Sequence, residues 1–539
     1  MRLSSFLLAL SFATPLSGCG AKRDATPSLS GATPREGDGE GGPQLPKVAE
    51  TGVRFPTSHE PPLVTLSGES RPAPAPPRDV PVLFATAQET RIFEKPETSS
   101  HRIGVLKAGA VVEINKKEIS GSGCPGGFRA IKPMGYVCLG PEATLDPAHP
   151  VARAATGRPD TTQKLPYMYG TAKRGGPAYA RLPIPEDLRE FEPHLRSHLS
   201  RWGKDKESGA TYGQDLWLRR KAAKTAPAAL EALDQKVTDP DIPPFLLNGA
   251  RLPNLSGFIA NGAVIKAGEF SMHNGVAFLD TFNWQGRRYG LSTDLRLFPT
   301  DRFRPIRGSD FHGAPLGAGL DLPIGFVRAK NQKRFRIERG HLTAAGPLPW
   351  RSVLALTGKV HSWSGTLYYE TKDGDLVAQA GTSKIEPAKK LPGWAVQGEK
   401  WIDVNVTRQT LVLYQGDKPV YATLVSTGEA GLDDPETSRS TKRGIFRIHT
   451  KYVTATMDSK TVGEEFELRD VPYVQYFQDG YALHAAYWHD VFGQPKSHGC
   501  INLAPEDARR IFFWTEPDVP AGWHGAAKAL TGTVIFIHP

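Results

Sequence analysis

The stretch Ser497-His498-Gly499-Cys500-Ile501-Asn502, with His484 upstream in Ala482-Leu483-His484-Ala485, decides how this chain is read. It sets a thiol near two candidate bases. A free thiol titrates near ~8.5, so only a few per cent is thiolate at neutral pH, and a nucleophilic cysteine needs an imidazole to take its proton. His484 and His498 both have the required chemistry. Cysteine is scarce, four among 539 residues, which singles out one that stands between a glycine and a hydrophobic-polar-hydrophobic run. Gly499 carries no Cβ to crowd the nucleophile, and it lets backbone N–H groups face an incoming carbonyl as an oxyanion hole. Two plainer readings compete: Cys500 as a small buried hydrophobe, and His484, His489, His498 and Cys500 as a zinc set. The spacing H-x4-H-x8-H-x-C fits neither a zinc finger nor an H-E-x-x-H helix, so no metal and no other cofactor is expected.

The flanking sequence predicts a β-rich domain around this motif. Trp401 to Val406 alternates apolar and polar residues, and Thr410 to Tyr414 and Val420 to Val425 follow with a Gly416-Asp417 turn between them, which reads as a hairpin. Gly444 to His449 and Gly532 to Ile537 read as further strands. Ala504 to Trp514 reads as a short amphipathic helix with Pro505 in its first turn. Cys500 is therefore expected on a loop just before that helix, where the helix N-terminus would favour a thiolate or an oxyanion if it points that way.

These residues resemble the L,D-transpeptidase, or YkuD, catalytic family, whose pattern is a histidine followed at short range by Ser/Thr-His-Gly-Cys-hydrophobic-Asn. Here His484 precedes His498 by fourteen residues, and Tyr487-Trp488-His489-Asp490-Val491-Phe492-Gly493-Gln494-Pro495 between them matches one variant of the family. The resemblance continues upstream through Val471 to Phe477 and Arg443 to Ile448, and it covers residues 398–539. This chain departs from the pattern at Ala485, where glycine or serine is usual, and at Thr441-Lys442-Arg443-Gly444, where the turn usually carries proline.

The resemblance implies a C-terminal β-sandwich with short helices and a cysteine-dependent acyl transfer on peptidoglycan stem peptides. Cys500 would attack the third-residue carbonyl of a stem tetrapeptide, release D-alanine and form a thioester that an amine resolves as a 3→3 cross-link. His484, rather than His498, would be the general base. Gly499 and Cys500 N–H groups would hold the oxyanion, while Ser497 and His498 orient the loop or the substrate. Asn502 would bind the turn or the stem peptide. Tyr476, Tyr487 and Trp488 would line a substrate groove, and carbapenem-type inhibitors would acylate the thiol. Hydrolysis by the same site, attachment of a protein to the wall, and a noncatalytic wall-binding lipoprotein remain as alternatives.

The N-terminus points to a location. Arg2 followed by the apolar run Leu3 to Phe12, too short to span a bilayer, and ending in Leu16-Ser17-Gly18-Cys19, resembles a lipoprotein signal with its lipobox (residues 1–19). Cys19 would then carry a lipid anchor on the periplasmic side of the envelope, with Gly20 favouring the outer membrane. Residues 20–80 are rich in Pro, Gly, Ser and charge, as in Glu36-Gly37-Asp38-Gly39-Glu40-Gly41-Gly42-Pro43, and predict a disordered tether.

From residue 81 the chain becomes strand-like, in Val82 to Thr86, Arg102 to Ile114, Gly127 to Ile131 and Gly135 to Cys138. Residues 81–147 resemble a bacterial SH3-type barrel. An exported location is oxidising, so Cys124 and Cys138 are expected to pair, leaving Cys500 reduced. Residues 148–390 read as an intermediate α+β region, with a helix-like run at Ala222 to Gln235 and room for further SH3-like modules. The fold class is thus mainly β and multidomain. The net charge of +10 is compatible with anionic envelope polymers and equally with an ordinary surface. No nucleic-acid module, phosphate-cradling loop or dinucleotide fingerprint is present in the sequence.

Overall fold

A computed structural model describes residues 80–204, 242–253, 255, 265–388, 390–459, 466–528 and 531–539. The signal, Cys19, nearly all of the tether and the helix-like run at 222–235 lie outside the described residues.

The C-terminal region is a β-sandwich. Its first sheet runs in the spatial order 314–315, 418–424, 410–415, 400–405, 534–538, 444–447. The hairpin at Gly416 closes with Gln415 opposite Lys418, and Gly416 sits at φ +61°, a left-handed position that glycine takes without cost. Strand 534–538 runs parallel to 400–405, Trp401 beside Val534, which returns the chain end to the centre of the sheet. The second layer contains 450–459, 466–478, 481–485 and 501–503. Between the layers, Ile402, Leu413, Leu483, Ile501, Ile511 and Ile535 are fully buried, each contributing roughly 1.5–3 kcal/mol on removal from water.

Helix Pro505–Trp514 covers this core with Ala508, Ile511 and Phe512. Its start corrects one expectation. Strand Ile501–Leu503 separates Cys500 from the helix, a rise of about 10 Å over three residues. The macrodipole falls off within a turn, so it contributes little at the sulfur. Asp507 in the first turn instead turns inward, accepting from Tyr421 Oη at 2.7 Å, Thr423 Oγ1 at 2.5 Å and Gly313 N at 2.9 Å.

Of the N-terminal strands, 111–113, 82–85 and 143–144 form a small three-stranded sheet in that order, while 102–106, 90–93, 136–138 and 128–130 form, in that order, one end of the large sheet that continues through 525–527 into 450–459 and 466–478. The run expected as one strand from Arg102 to Ile114 is broken by a turn in which Gly109 takes φ +82°. Cys124 and Cys138 form a disulfide with a Cα–Cα distance of 5.7 Å; closing a loop of this length contributes about 3 kcal/mol in the chain-entropy account. The intermediate region contains two β units. Strands 168–172, 176–179, 266–270, 275–284, 287–292, 297–299 and 303–306 make one. The other is an antiparallel sheet of seven strands within residues 324–385.

The units interlock with the sandwich. Strand 102–106 pairs with 525–527, Gly275 pairs with Leu468, and Ala314 pairs with Ala422. Phe311, Ile324 and Phe326 share a core cluster with Trp401 and Leu424, so the sandwich recruits residues well before 398. One polar tie between all three is Asp470, at φ +51° on strand 466–478. Its carboxylate takes the Lys107 ammonium from the N-terminal unit, the Thr293 hydroxyl from the intermediate unit and the Thr454 hydroxyl, while Tyr169 Oη donates to its carbonyl at 2.6 Å.

Candidate active site

Strand 481–485 runs parallel to strand 501–503 with Leu483 opposite Ile501, His484 opposite Asn502 and Ala485 opposite Leu503. Side chains alternate along a strand, and registered neighbours share a face. Leu483, Ala485, Ile501 and Leu503 point into the sandwich core, so His484, Asn502 and Cys500, two residues before Asn502, share the opposite face. The apolar-polar alternation of both segments thus delivers the motif to one surface.

His484 is 2 % exposed. Its Nδ1 lies 3.3 Å from Ala485 O and, facing a carbonyl, must carry the proton, which leaves Nε2 with a lone pair. Burial lowers its pKa to about 4, so the ring is a neutral base across the physiological range. Trp488 lies against the imidazole with centroids 5.6 Å apart.

Asn502 is held by His489, which was read above only as a member of a rejected zinc set. Asn502 Nδ2 stands 2.9 Å from His489 Nε2, and Val491 N donates to His489 Nδ1 at 3.4 Å. A neutral imidazole cannot accept at both nitrogens, and burial lowers this one to about 4. The amide is therefore consistent with Oδ1 facing an Nε2–H, which leaves its NH2 group as the end without a protein partner. That donor belongs to a residue lining the cavity described below.

The loop before the strand is fixed by side chains. Ser497 Oγ donates to Cys500 O at 2.5 Å and accepts from Gly499 N at 3.1 Å. The Gly499 N–H is thus engaged, and its expected part as an oxyanion donor gives way to a conformational one. Gly499 sits at φ +128°, and a Cβ there would stand 2.7 Å from the Tyr481 ring. Thr441, from the turn that departs from the family pattern, donates to Gly499 O at 2.7 Å and accepts from Gly428 N at 2.8 Å. Nothing in the spacing of the turn signalled this contact. His498 is half-buried, and burial followed by the nearby Arg439 lowers its pKa.

Cys500 is buried, and its sulfur is disulfide-bonded. No free thiol occurs among the described residues. This differs from the expectation that Cys500 stands reduced: an oxidising compartment that pairs Cys124 with Cys138 also permits this bond, and a nucleophilic role requires its reduction.

His484, Trp488, Ser497, His498, Cys500 and Asn502 line one cavity of about 490 Å³. Tyr476 and Tyr487 do not. Tyr487 is buried against Tyr169 of the intermediate unit, centroids 4.7 Å apart, where a large aromatic surface gains from burial, and Tyr476 packs edge-on to Tyr452 on the neighbouring strand of the sandwich. Thr171 and His273, more than two hundred residues upstream of the motif, complete the cavity. Among the described residues no cluster of three or more His, Cys, Asp or Glu side chains is placed to hold a metal ion.

A buried neutral imidazole and a cysteine thus share one face of paired strands and line one half-open cavity. Residues 399–537 match the family model of YkuD, the L,D-transpeptidase catalytic domain. Among solved structures, the chain is similar to the L,D-transpeptidase (residues 123–326) of Xylanimonas cellulosilytica at 20 % identity, over 28 % of this chain and 65 % of that one, with a TM-score of 0.20. It is similar to the Stackebrandtia nassauensis L,D-transpeptidase at 26 % identity, over 29 % and 58 % of the two chains, TM-score 0.19. The catalytic domain of the E. faecium enzyme aligns at 22 % identity over 26 % of this chain and 98 % of its own, TM-score 0.20. The match thus spans less than two thirds of the first two relatives. No curated protein sequence matches the chain.

Proposed function

We propose that the protein is a peptidoglycan L,D-transpeptidase that uses Cys500 as nucleophile and His484 as general base. The observation that carries this reading is the shared face of His484, Cys500 and Asn502 within the segment that matches the transpeptidase domain. With the sulfur reduced, His484 Nε2 takes the thiol proton as Sγ adds to the third-residue carbonyl of a stem tetrapeptide. Collapse of the tetrahedral intermediate breaks the bond to D-alanine, whose amine receives that proton, and leaves a thioester. An acceptor amine then attacks, His484 takes its proton, and the departing Cys500 sulfur is reprotonated. Asn502 would donate to the stem peptide, and Trp488 keeps the base dry, which sustains its neutral form.

Water in place of the amine would make the enzyme a carboxypeptidase by the same site. Placement at the periplasmic face completes the proposal, since the substrate is outside the cytoplasm; a lipid carried by the Cys19 sulfur would exclude that sulfur from any disulfide, so the anchored form is the one in which Cys500 stands reduced. The test is intact-mass analysis after reduction and exposure to a carbapenem: one adduct on the native chain and none on Cys500→Ala. Incubation with tetrapeptide muropeptides then separates 3→3 dimers from tripeptides by mass. A chain that is reduced, folded and yet neither acylated nor active on tetrapeptides would overturn the reading.

A further inference from the structure

The catalytic cavity does not end at the sandwich. Thr171 and His273 line it, and the same two residues line a second cavity of about 490 Å³ whose lining lies within the intermediate unit. Both residues come from elements fixed by the sheet. Thr171 lies on strand 168–172 opposite Arg304, and His273 lies in the turn between strands 266–270 and 275–284. His273 takes φ +74°, a left-handed conformation costly for a residue with a Cβ, and its N–H bonds Ala172 O at 2.8 Å.

The second cavity is cationic. Arg174, Arg201 and Arg304 line it, and none of them forms an ion pair with a described residue. Lys173 lines it as well. The single carboxylate of the lining, Asp301, is already committed: Arg287 Nε bonds it at 2.6 Å and His198 Nε2 at 2.8 Å. Unpaired guanidinium groups in a concavity repel one another and are stabilised by a planar anion that accepts two N–H bonds at once. Lys496 on the catalytic side continues the same sign of charge. Exposed Met272, beside His273, adds an apolar surface to the second cavity.

We infer that the intermediate unit carries a second substrate subsite, in which Arg174, Arg201 and Arg304 bind a carboxylate of a peptide whose reacting end lies at Cys500. This rests on the transpeptidase reading for the identity of the peptide, and it names the part of that substrate held outside the sandwich: a free carboxylate along a stem peptide, one unit away from the scissile bond.

The experiment compares the reduced full-length chain with the double variant Arg174→Glu/Arg304→Glu, using a stem tetrapeptide with free carboxylates and its analogue with side carboxylates converted to amides. The expected result is a rise in KM of about tenfold or more for the carboxylate peptide with kcat within about twofold, and no rise for the amide peptide. Carbapenem acylation of the variant at the native rate shows that fold and thiol are intact. Equal KM changes for both peptides, or none, overturn the subsite. If the native chain turns over neither peptide, the functional reading fails instead, and the subsite is judged by direct binding of the carboxylate peptide to Cys500→Ala with and without the double substitution. Competition by a polyphosphate chain at a site that does not bind the carboxylate peptide would also overturn it.

Discussion

The two sides of the catalytic cavity are built by different rules. On one side His484, Cys500 and Asn502 come from neighbouring strands whose register places them together, and a rigid backbone ladder sets their spacing. On the other, Thr171 and His273 arrive from a separate sheet, docked through the Gly275–Leu468 pairing and the Asp470 cluster. Chemistry that tolerates errors well under an ångström belongs on the first kind of support. Contacts that choose among substrates can sit on the second, where changing them leaves the reacting atoms in place.

Substitutions separate the two sides, and the largest effect is expected on the ladder. His484→Ala in the reduced chain should lower acylation by about 10²–10⁴-fold, the usual worth of a positioned base, read by stopped-flow with a carbapenem. A loss of less than threefold would move the base to His498. The pH dependence follows from burial. The folded pKa of His484, about 4, lies below the ordinary imidazole value of 6.5, so the ring stays neutral in the native state while the unfolded chain protonates. Its contribution to stability is fully present above pH 6.5 and is lost as pH falls through about 4. NMR titration of the disulfide-bonded form should place the imidazole midpoint near 4, and a midpoint at 6.5 or above would show an open, hydrated site.

Next comes the docking of the second side. Asp470→Ala leaves the Lys107 ammonium and two hydroxyls without their shared acceptor, and it should cost about 3–5 kcal/mol, measured by denaturant unfolding. If the sides are separable, proteolysis should then cut the intermediate unit before the sandwich. Gly499→Ala should cost roughly 1–3 kcal/mol and slow acylation, because a Cβ meets the Tyr481 ring at 2.7 Å on a left-handed backbone. The smallest effect belongs to the far side. His273→Gly should change stability by less than about 1 kcal/mol, since relief of the left-handed strain offsets the entropy of glycine. It should raise KM for a stem peptide a few-fold and leave the carbapenem rate alone; an equal loss with both would place His273 in the chemistry.

Around the ladder, the hairpin at Gly416 and the helix at Pro505 were legible because their signals are local, and the motif itself marked His484, Cys500 and Asn502. The strands Tyr481–Ala485 and Ile501–Leu503 were not, because segments of five and three residues carry too little alternation to declare a strand, and their pairing is set by the fold. Tyr476 and Tyr487 misled because an aromatic near a motif looks the same whether it faces a groove or packs on another ring, and only the contacts with Tyr452 and, at 4.7 Å, with Tyr169 decide. Thr171 and His273 carried no signal at all, as they reach Cys500 only through tertiary pairing. The intermediate unit hid its interior for a related reason. Glu192, Asp301, Arg287 and Arg302 look like surface charge in sequence, yet they form a buried ionic cluster, with Arg287 Nη1 on Glu192 at 2.7 Å and Arg302 Nη2 at 2.6 Å. Burial pushes the Asp301 carboxyl up, but bonds from His198 and Arg287 outweigh it and bring it down to about 2.

The borrowed strand at 314–315 sets a boundary at the bench. It supplies the edge of the catalytic sheet, and Phe311, Ile324 and Phe326 fill the same core from outside residues 398–539. An excised 398–539 fragment would bare a sheet edge and an apolar seam, strand Asp470 beside no cation, and invite edge-to-edge association. A transplant of this unit into another chain would therefore need residues 311–326 as well, because a two-residue strand and its flanking core are part of the sheet it carries.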